Sequence, residues 1–218
     1  MKQITKDLLR EVSEWTGEFA GAYNLREDGQ CAGRQSTENI AIESKADGPG
    51  LVIRVRPGTK GETVSIPALV TQGGLDDLVY NDFFIGEGAE ITIVAGCGVH
   101  TEDGGAARHN GIHRFFLEKD SHVRYLEKHV GTGHGHGLRS IDPVTEIVLG
   151  ENAVLKMDTS QLGGVDRSTR RTSAVAGPGA RLLVRERILT EGEQQARTDF
   201  DVQLDGEGSG AYIISRSV

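Results

Sequence analysis

The chain has 218 residues, with 24 basic against 32 acidic side chains for a formal charge of −8, and 30 glycines, about twice the ordinary share. That acidity, with no dense Lys/Arg block, argues against nucleic-acid binding, and no stretch approaches the ~20 apolar residues of a membrane-spanning helix. Met1 to Trp15 is charged throughout, unlike a secretory signal, and two cysteines, Cys31 and Cys97, make no disulfide framework, so a reducing, cytoplasmic location is expected.

Residues 4–15 put Ile4, Leu8, Leu9, Val12 and Trp15 on one side at helical spacing. This predicts an amphipathic helix of about three turns, packed on the later part of the chain. Residues 17–50 are rich in Gly, Ser, Asp and Glu and read as loop or short edge strands. From Leu51 onward the pattern becomes short β segments punctuated by glycine: LVIRV (51–55), ETVSIPALV (62–70), EITIVA (90–95) and HVRYLE (122–127). Residues 1–35 are therefore taken as an N-terminal helix and loop, and 36–218 as the core.

That core repeats. IGEGAEITIVAGC (85–97), LEKDSHVRYLEKH (117–129), LGENAVLKMDTSQ (149–161) and AGPGARLLVRERI (176–188) each give a turn, a small residue and a strand. The small residues are Ala89, Ser121, Ala153 and Ala180, spaced by 32, 32 and 27. A looser copy follows at 205–217, and a second strand lies between copies, as in GIHRFFL (111–117) and STRRTSAVA (168–176). A lone two-stranded unit can neither bury its apolar face nor pair its edges, and stacking successive coils at ~4.8 Å does both. The expected fold is all-β: a solenoid, or parallel β-helix, with two strands per coil of about 30 residues. A two-sheet sandwich or a cupin barrel is the competing architecture. Alternation makes Ile91, Ile93, Val123, Tyr125, Leu155, Met157, Leu182 and Val184 inward, and Glu90, His122, Arg124, Lys156, Arg181 and Arg185 outward. Gly86, Gly88, Gly177 and Gly179 are expected to supply positive φ at the corners.

All seven histidines fall between His100 and His136. Clustering of this kind points to metal or proton chemistry. His122 is outward, and His134 and His136 lie in the flexible turn GTGHGHG, so a solvated role suits all three. Register is more telling: one repeat of 32 carries Cys97 onto His129, and Glu127 shares that inward face opposite Ala95. A thiol, an imidazole and a carboxylate brought together suit zinc, iron or an iron–sulfur cluster. His100 in the adjoining turn is within reach, and His109 and His113, four apart, share a strand face. The metal candidates are thus Cys97, His100, His109, His113 and His129, and the cofactor-binding candidates Cys97, Glu127 and His129. The plain alternative is a buried cysteine acting as a small apolar residue, with Glu127 paired to Lys128 or an arginine.

The phosphate-binding loops G-x-x-x-x-G-K-[ST] and G-x-G-x-x-G are missing, as is the G-x-S-x-G elbow. His134-x-His136 lacks a glutamate at cupin spacing, Glu146 being ten residues further on. Asp76–Asp77 and Glu102–Asp103 read as solvated turn acids.

The runs YNDFFIGEGAEITIVAGCGVH (80–100), HNGIHRFF (109–116), DPVTE (142–146) and EGEQQARTDF…YIISRSV (191–218) resemble the SufB/SufD family of Suf iron–sulfur cluster assembly subunits. The resemblance, over most of 60–218, implies a right-handed parallel β-helix flanked by helical parts. It also implies a cytoplasmic, non-enzymatic scaffold that helps build or transfer nascent Fe–S clusters. The implied partners are an ABC-type ATPase, a cysteine desulfurase system as sulfur source, and a sister subunit or second copy joined through the β-helix edge. Family members continue past the point matching Ser215–Val218, into the last coils, an acceptor cysteine and the helices that grip the ATPase. The chain is therefore expected to be a shortened or divided form whose final coil is an open edge. The other reading is a metal-dependent enzyme on a solenoid or cupin-like scaffold that activates water with the His100–His136 cluster. A third is a metal-free interaction platform.

Overall fold

The computed structural model describes residues 1–13 and 15–218. One helix, α1 (Gln3–Ser13), precedes the strands β1 (Ala22–Glu27), β2 (Gln30–Gln35), β3 (Ile40–Ser44), β4 (Gly50–Val55), β5 (Lys60–Val70) and β6 (Leu75–Ile85). Then come β7 (Glu90–His100), β8 (Ala107–Leu117), β9 (His122–Thr132), β10 (Arg139–Ile141), β11 (Val144–Leu149) and β12 (Val154–Gln161). The last four are β13 (Arg167–Ala176), β14 (Arg181–Ile188), β15 (Gln195–Leu204) and β16 (Gly210–Ser217).

From β4 onward the chain alternates between two sheets, with β10 and β11 together in one pass, as stacked coils require. One runs β16-β14-β12-β9-β7-β5-β1-β2, and the other runs from β3 through β4, β6, β8 and β11 to β13, with β10 beside β8 and β13, and β15 on β13. The pairings along the stack are parallel, with Glu90, His122, Val154, Arg181 and Gly210 in one register row. The fold is the β-solenoid expected from the repeat, and the sandwich and barrel alternatives fall. Ala89, Ser121, Ala153 and Ala180 are fully buried at the corners, and the eight residues expected inside are all buried. The six expected outside are all exposed.

The corner before each small residue turns through a left-handed residue: Gly58, Gly88, Asp120, Asn152, Gly179 and Gly208 have φ of 71°, 64°, 53°, 55°, 67° and 69°. Asp and Asn tolerate this conformation better than other side chains, so two coils manage without glycine. Gly86 and Gly177 are not left-handed, which corrects that expectation. They are needed for space, because a Cβ on Gly86 would lie 2.5 Å from the Pro57 nitrogen and one on Gly177 3.0 Å from the Leu149 carbonyl oxygen.

Residues 22–55 form four short strands. β1–β2 and β3–β4 are antiparallel hairpins, and β2 and β3 are the sheet edges. β2 has no buried residue, so no apolar alternation announces it.

Helix α1 stops at Ser13, whose Oγ donates to the Leu9 carbonyl at 2.7 Å, and Glu14 lies outside the described residues. Leu8, Leu9 and Val12 pack on Leu25, Leu69 and Val130, covering the outer side of β5, β7 and β9. Gly96 and Gly98 allow this approach: a Cβ at 96 would sit 2.5 Å from the Val12 carbonyl oxygen, and one at 98 would sit 3.0 Å from Leu8 Cδ2. Gly96→Ala is therefore expected to push α1 outward at a cost of about 1–3 kcal/mol. Trp15, the single tryptophan, packs at the margin of this cluster, so the displacement reads as a red-shifted emission with a lowered thermal midpoint.

The interior is divided. Toward the small-residue corners lies the main apolar core, with Phe83 stacked on Phe115 at 4.6 Å and Tyr125 edge-on to Phe115 at 5.2 Å. A second apolar cluster holds Ala68, Val70, Cys97, Val99, Ala107, Ile141 and Val165. Buried polar side chains lie alongside these two clusters.

Candidate functional site

The polar belt comes from inward positions on facing sheets. β7 gives Cys97 and β9 gives Glu127 and His129, with Cys97 opposite His129 and Ala95 opposite Glu127 in register, as the repeat length predicts. From the other sheet β8 gives His109 and His113, and its neighbour β6 gives Asp77 in register with His109. His109 and His113 are 1% and 5% exposed, so the shared strand face turns inward.

Two charged relays flank the Cys97 thiol. On one side Asp77 Oδ2 lies 3.1 Å from His109 Nδ1, and Arg26 grips the same carboxylate through Nε at 2.9 Å and Nη2 at 2.6 Å. Burial alone would push the Asp77 carboxyl up, but hydrogen bonds from His109 and Arg26 hold it well below the usual carboxylate range. On the other side His129 Nε2 lies 3.4 Å from Glu127 Oε1, and Arg170 Nη1 lies 2.7 Å from Glu127 Oε2. Arg170 Nε also reaches Glu186 at 3.1 Å, whose carboxylate accepts hydrogen bonds from Thr198 and Ser215. Burial opposes ionisation of Glu127 as well, yet Arg170 and His129 keep it well below its ordinary value. Glu127 does pair with an arginine, as the plain alternative allowed, but the same carboxylate also holds the imidazole beside Cys97.

His113 plays a different part. Its Nδ1 lies 2.8 Å from the Tyr125 hydroxyl, which donates to Glu127 Oε1 at 2.7 Å, and its Nε2 lies 3.3 Å from Asn81 Nδ2. Because the hydroxyl's own proton goes to Glu127, His113 Nδ1 must be the donor there and Nε2 the acceptor from Asn81. That is the neutral imidazole, and burial lowers its pKa to about 4.

For Cys97 the balance runs the other way. Burial would raise its pKa, but the charges of His109 and His129 and their hydrogen bonds to the sulfur bring it down to about 7. Both imidazoles are raised in turn despite burial, His109 by the thiolate and Asp77, His129 by Glu127 and the thiolate. In a Cys31→Ser background, the rate of Cys97 alkylation by iodoacetamide should be half-maximal near pH 7. His109→Asn should move that midpoint up toward ~8.5, the value of a free cysteine.

Access comes from the hairpins. A cleft of about 340 Å³ has Cys31, Arg34 and Asn24 among its lining and reaches Cys97 and His109. Cys31 is exposed, with Sγ 3.3 Å from Asn24 Oδ1, which also accepts from Arg34 Nε at 2.9 Å. Cys97 is 6% exposed. Both cysteines of the chain thus line one cleft, and α1 closes the sheet behind the inner one.

His100 does not join this group. Its Nδ1 lies 2.9 Å from Thr132 Oγ1 and its Nε2 3.4 Å from Glu102 Oε1, because its place in β7 turns it away from the inward series of Cys97. His122, His134 and His136 are exposed. Asp77 corrects the reading of the 76–77 pair as turn acids, since it lies in β6 and is 4% exposed. Among the described residues, no three His, Cys, Asp or Glu side chains are placed to hold a metal ion. His109, His113 and His129 are each committed to the partners above.

Sequence reasoning missed Arg26, Asp77, Arg170, Glu186 and the role of Cys31. A signal existed for Arg170: in STRRTSAVA it shares parity with Ala174 and Ala176, which are buried, and Arg170 itself is 7% exposed. Arg26 and Cys31 face each other in one hairpin, β1–β2, whose strands carry no such pattern.

The family model for the SUF system FeS cluster assembly SufBD core domain matches residues 80–218. That span contains Cys97, all seven histidines, Glu127 and Arg170, while Arg26 and Cys31 precede it. No curated protein matches the chain.

Proposed function

The chain belongs to the SufBD core-domain family of SUF iron–sulfur cluster assembly, and from that membership we propose that it is a scaffold subunit on which sulfur and iron are gathered, with Cys97 as the receiving thiol. The observation that carries this reading is a buried cysteine whose pKa is brought to about 7 by two imidazoles and which is reached by a cleft. A thiolate near neutral pH is what attack on a donor's persulfide sulfur needs, and equally what capture of iron needs. In the first case the outer sulfur passes to Cys97, the donor S–S bond breaks, and the donor leaves as a thiolate. Asp77 and Glu127 keep His109 and His129 charged, and those charges hold the sulfur anionic before transfer and stabilise the persulfide anion after it.

The partners follow from the same membership. An ABC-type ATPase and a desulfurase system are the proposed co-workers, in the cytoplasm; among the described residues no helix is long and apolar enough to cross a membrane. A second copy or a sister subunit, joined through the β-helix edge, is proposed as a further partner.

Anaerobic reconstitution with ferrous iron and sulfide tests the central part. The expected result is visible charge-transfer absorption with iron and labile sulfide bound together. Colourless protein, or stoichiometric zinc or manganese without sulfide in the purified chain, contradicts the reading and favours a metal-dependent enzyme.

A further inference from the structure

On the outer face of the second sheet, away from Cys97, lies a cleft of about 630 Å³ with three arginines in its lining, Arg108, Arg167 and Arg171. We propose that this cleft binds a phosphorylated small molecule of nucleoside-diphosphate size, through the guanidinium groups of Arg167 and Arg171.

Alternation puts these groups together. In β13 the even residues Ser168, Arg170 and Thr172 point inward and are buried, so Arg167, Thr169 and Arg171 line the outside. Arg108 of β8, Ser140 of β10 and Arg167 of β13 stand side by side in register, with Ser140 buried at the floor. Pro143 has no amide hydrogen and separates β10 from β11 here, in the rung between β8 and β13.

Arg108 spends Nη1 on Asp76 at 3.5 Å and Nη2 on Asp142 at 3.2 Å, but its Nε is buried with no acceptor. Asn110 Oδ1 is buried with no donor. Both atoms are closed to solvent, so Arg108 and Asn110 shape the cleft wall, and the ligand is defined by the groups that stay open. Among the described residues the guanidinium groups of Arg167 and Arg171 have neither an ion-pair nor a hydrogen-bond partner. In a chain of charge −8, two free guanidinium groups four residues apart on one strand face call for a ligand with anionic oxygens. The volume lies within the range of small-molecule sites and exceeds what one phosphate fills.

Titration calorimetry of the full chain with pyrophosphate and with ADP tests this. ADP should saturate a single site in the sub-millimolar range and bind several-fold more tightly than pyrophosphate. The Arg167→Ala/Arg171→Ala double variant, which alters exposed side chains and should melt like the parent, should weaken both probes about tenfold or more. Arg216→Ala, an exposed arginine elsewhere, should change neither. No saturation with either probe, or binding that the double variant leaves unchanged, overturns the site. ADP binding no tighter than pyrophosphate overturns the assignment of a nucleotide-sized ligand.

Discussion

Replacing Arg170 by methionine should destabilise the chain by about 3–5 kcal/mol, the usual range when one partner of a buried ion pair is removed. Arg170 is a guanidinium shared by two buried carboxylates, at 2.7 Å from Glu127 and 3.1 Å from Glu186. Methionine has similar length but takes the guanidinium from both acids, leaving Glu127 with the His129 imidazole and Glu186 with only its hydroxyl donors. The loss should depend on pH. In the parent the Glu127 pKa is lowered on folding, so its stabilisation is present above the unfolded carboxylate value and is lost as the pH falls through the folded one. In the variant His129 still opposes burial at Glu127, but without Arg170 the carboxyl is lowered less, so less stability is gained as the pH rises through the unfolded carboxylate value. Urea melts should therefore show a gap between the two proteins that widens from pH 4 to pH 7.5. A variant within 1 kcal/mol of the parent at both pH values would show that the relay does not hold the interior together.

Replacing Cys97 by serine should abolish iron–sulfide loading while leaving the melting transition within about 1 kcal/mol of the parent. Serine keeps the shape and accepts hydrogen bonds from His109 and His129, but at neutral pH it presents no anion for iron or for a persulfide sulfur. Cys31→Ser should slow loading without stopping it, because Cys31 lines the cleft but has none of the imidazole neighbours that lower the Cys97 pKa. Equal loading of the Cys97→Ser protein would falsify the assignment of the receiving thiol. Loss of loading together with a large fall in stability would make Cys97 a packing residue.

The stacking is legible because a repeat fixes register. Ala89, Ser121, Ala153 and Ala180 carry the coil length, and once that is known the meeting of Cys97 with His129 follows from counting. Parity carries the inward set equally well, including His109 and His113. It fails where a side chain's partner lies off its own strand. Two adjacent acids at 76 and 77 look solvated, whereas the sheet presents Asp77 to His109 and Arg26. Arg26 comes from a hairpin with no apolar period, so no local pattern could place it. Reach counted along the chain misplaces His100, because alternation at the end of β7 turns it toward Thr132. The cleft is invisible for a related reason: it forms between hairpins separated in sequence from the histidines they face.

The most direct measurement is to load the reduced full chain anaerobically with a persulfide donor, block free thiols, digest, and locate the added sulfur by peptide mass spectrometry. Sulfane sulfur on the peptide that carries Cys97, diminished in His109→Asn and His129→Asn proteins, is the result predicted. Sulfur found on Cys31 alone, or on neither cysteine, would contradict the claim that the thiol held between the two histidines is where assembly begins.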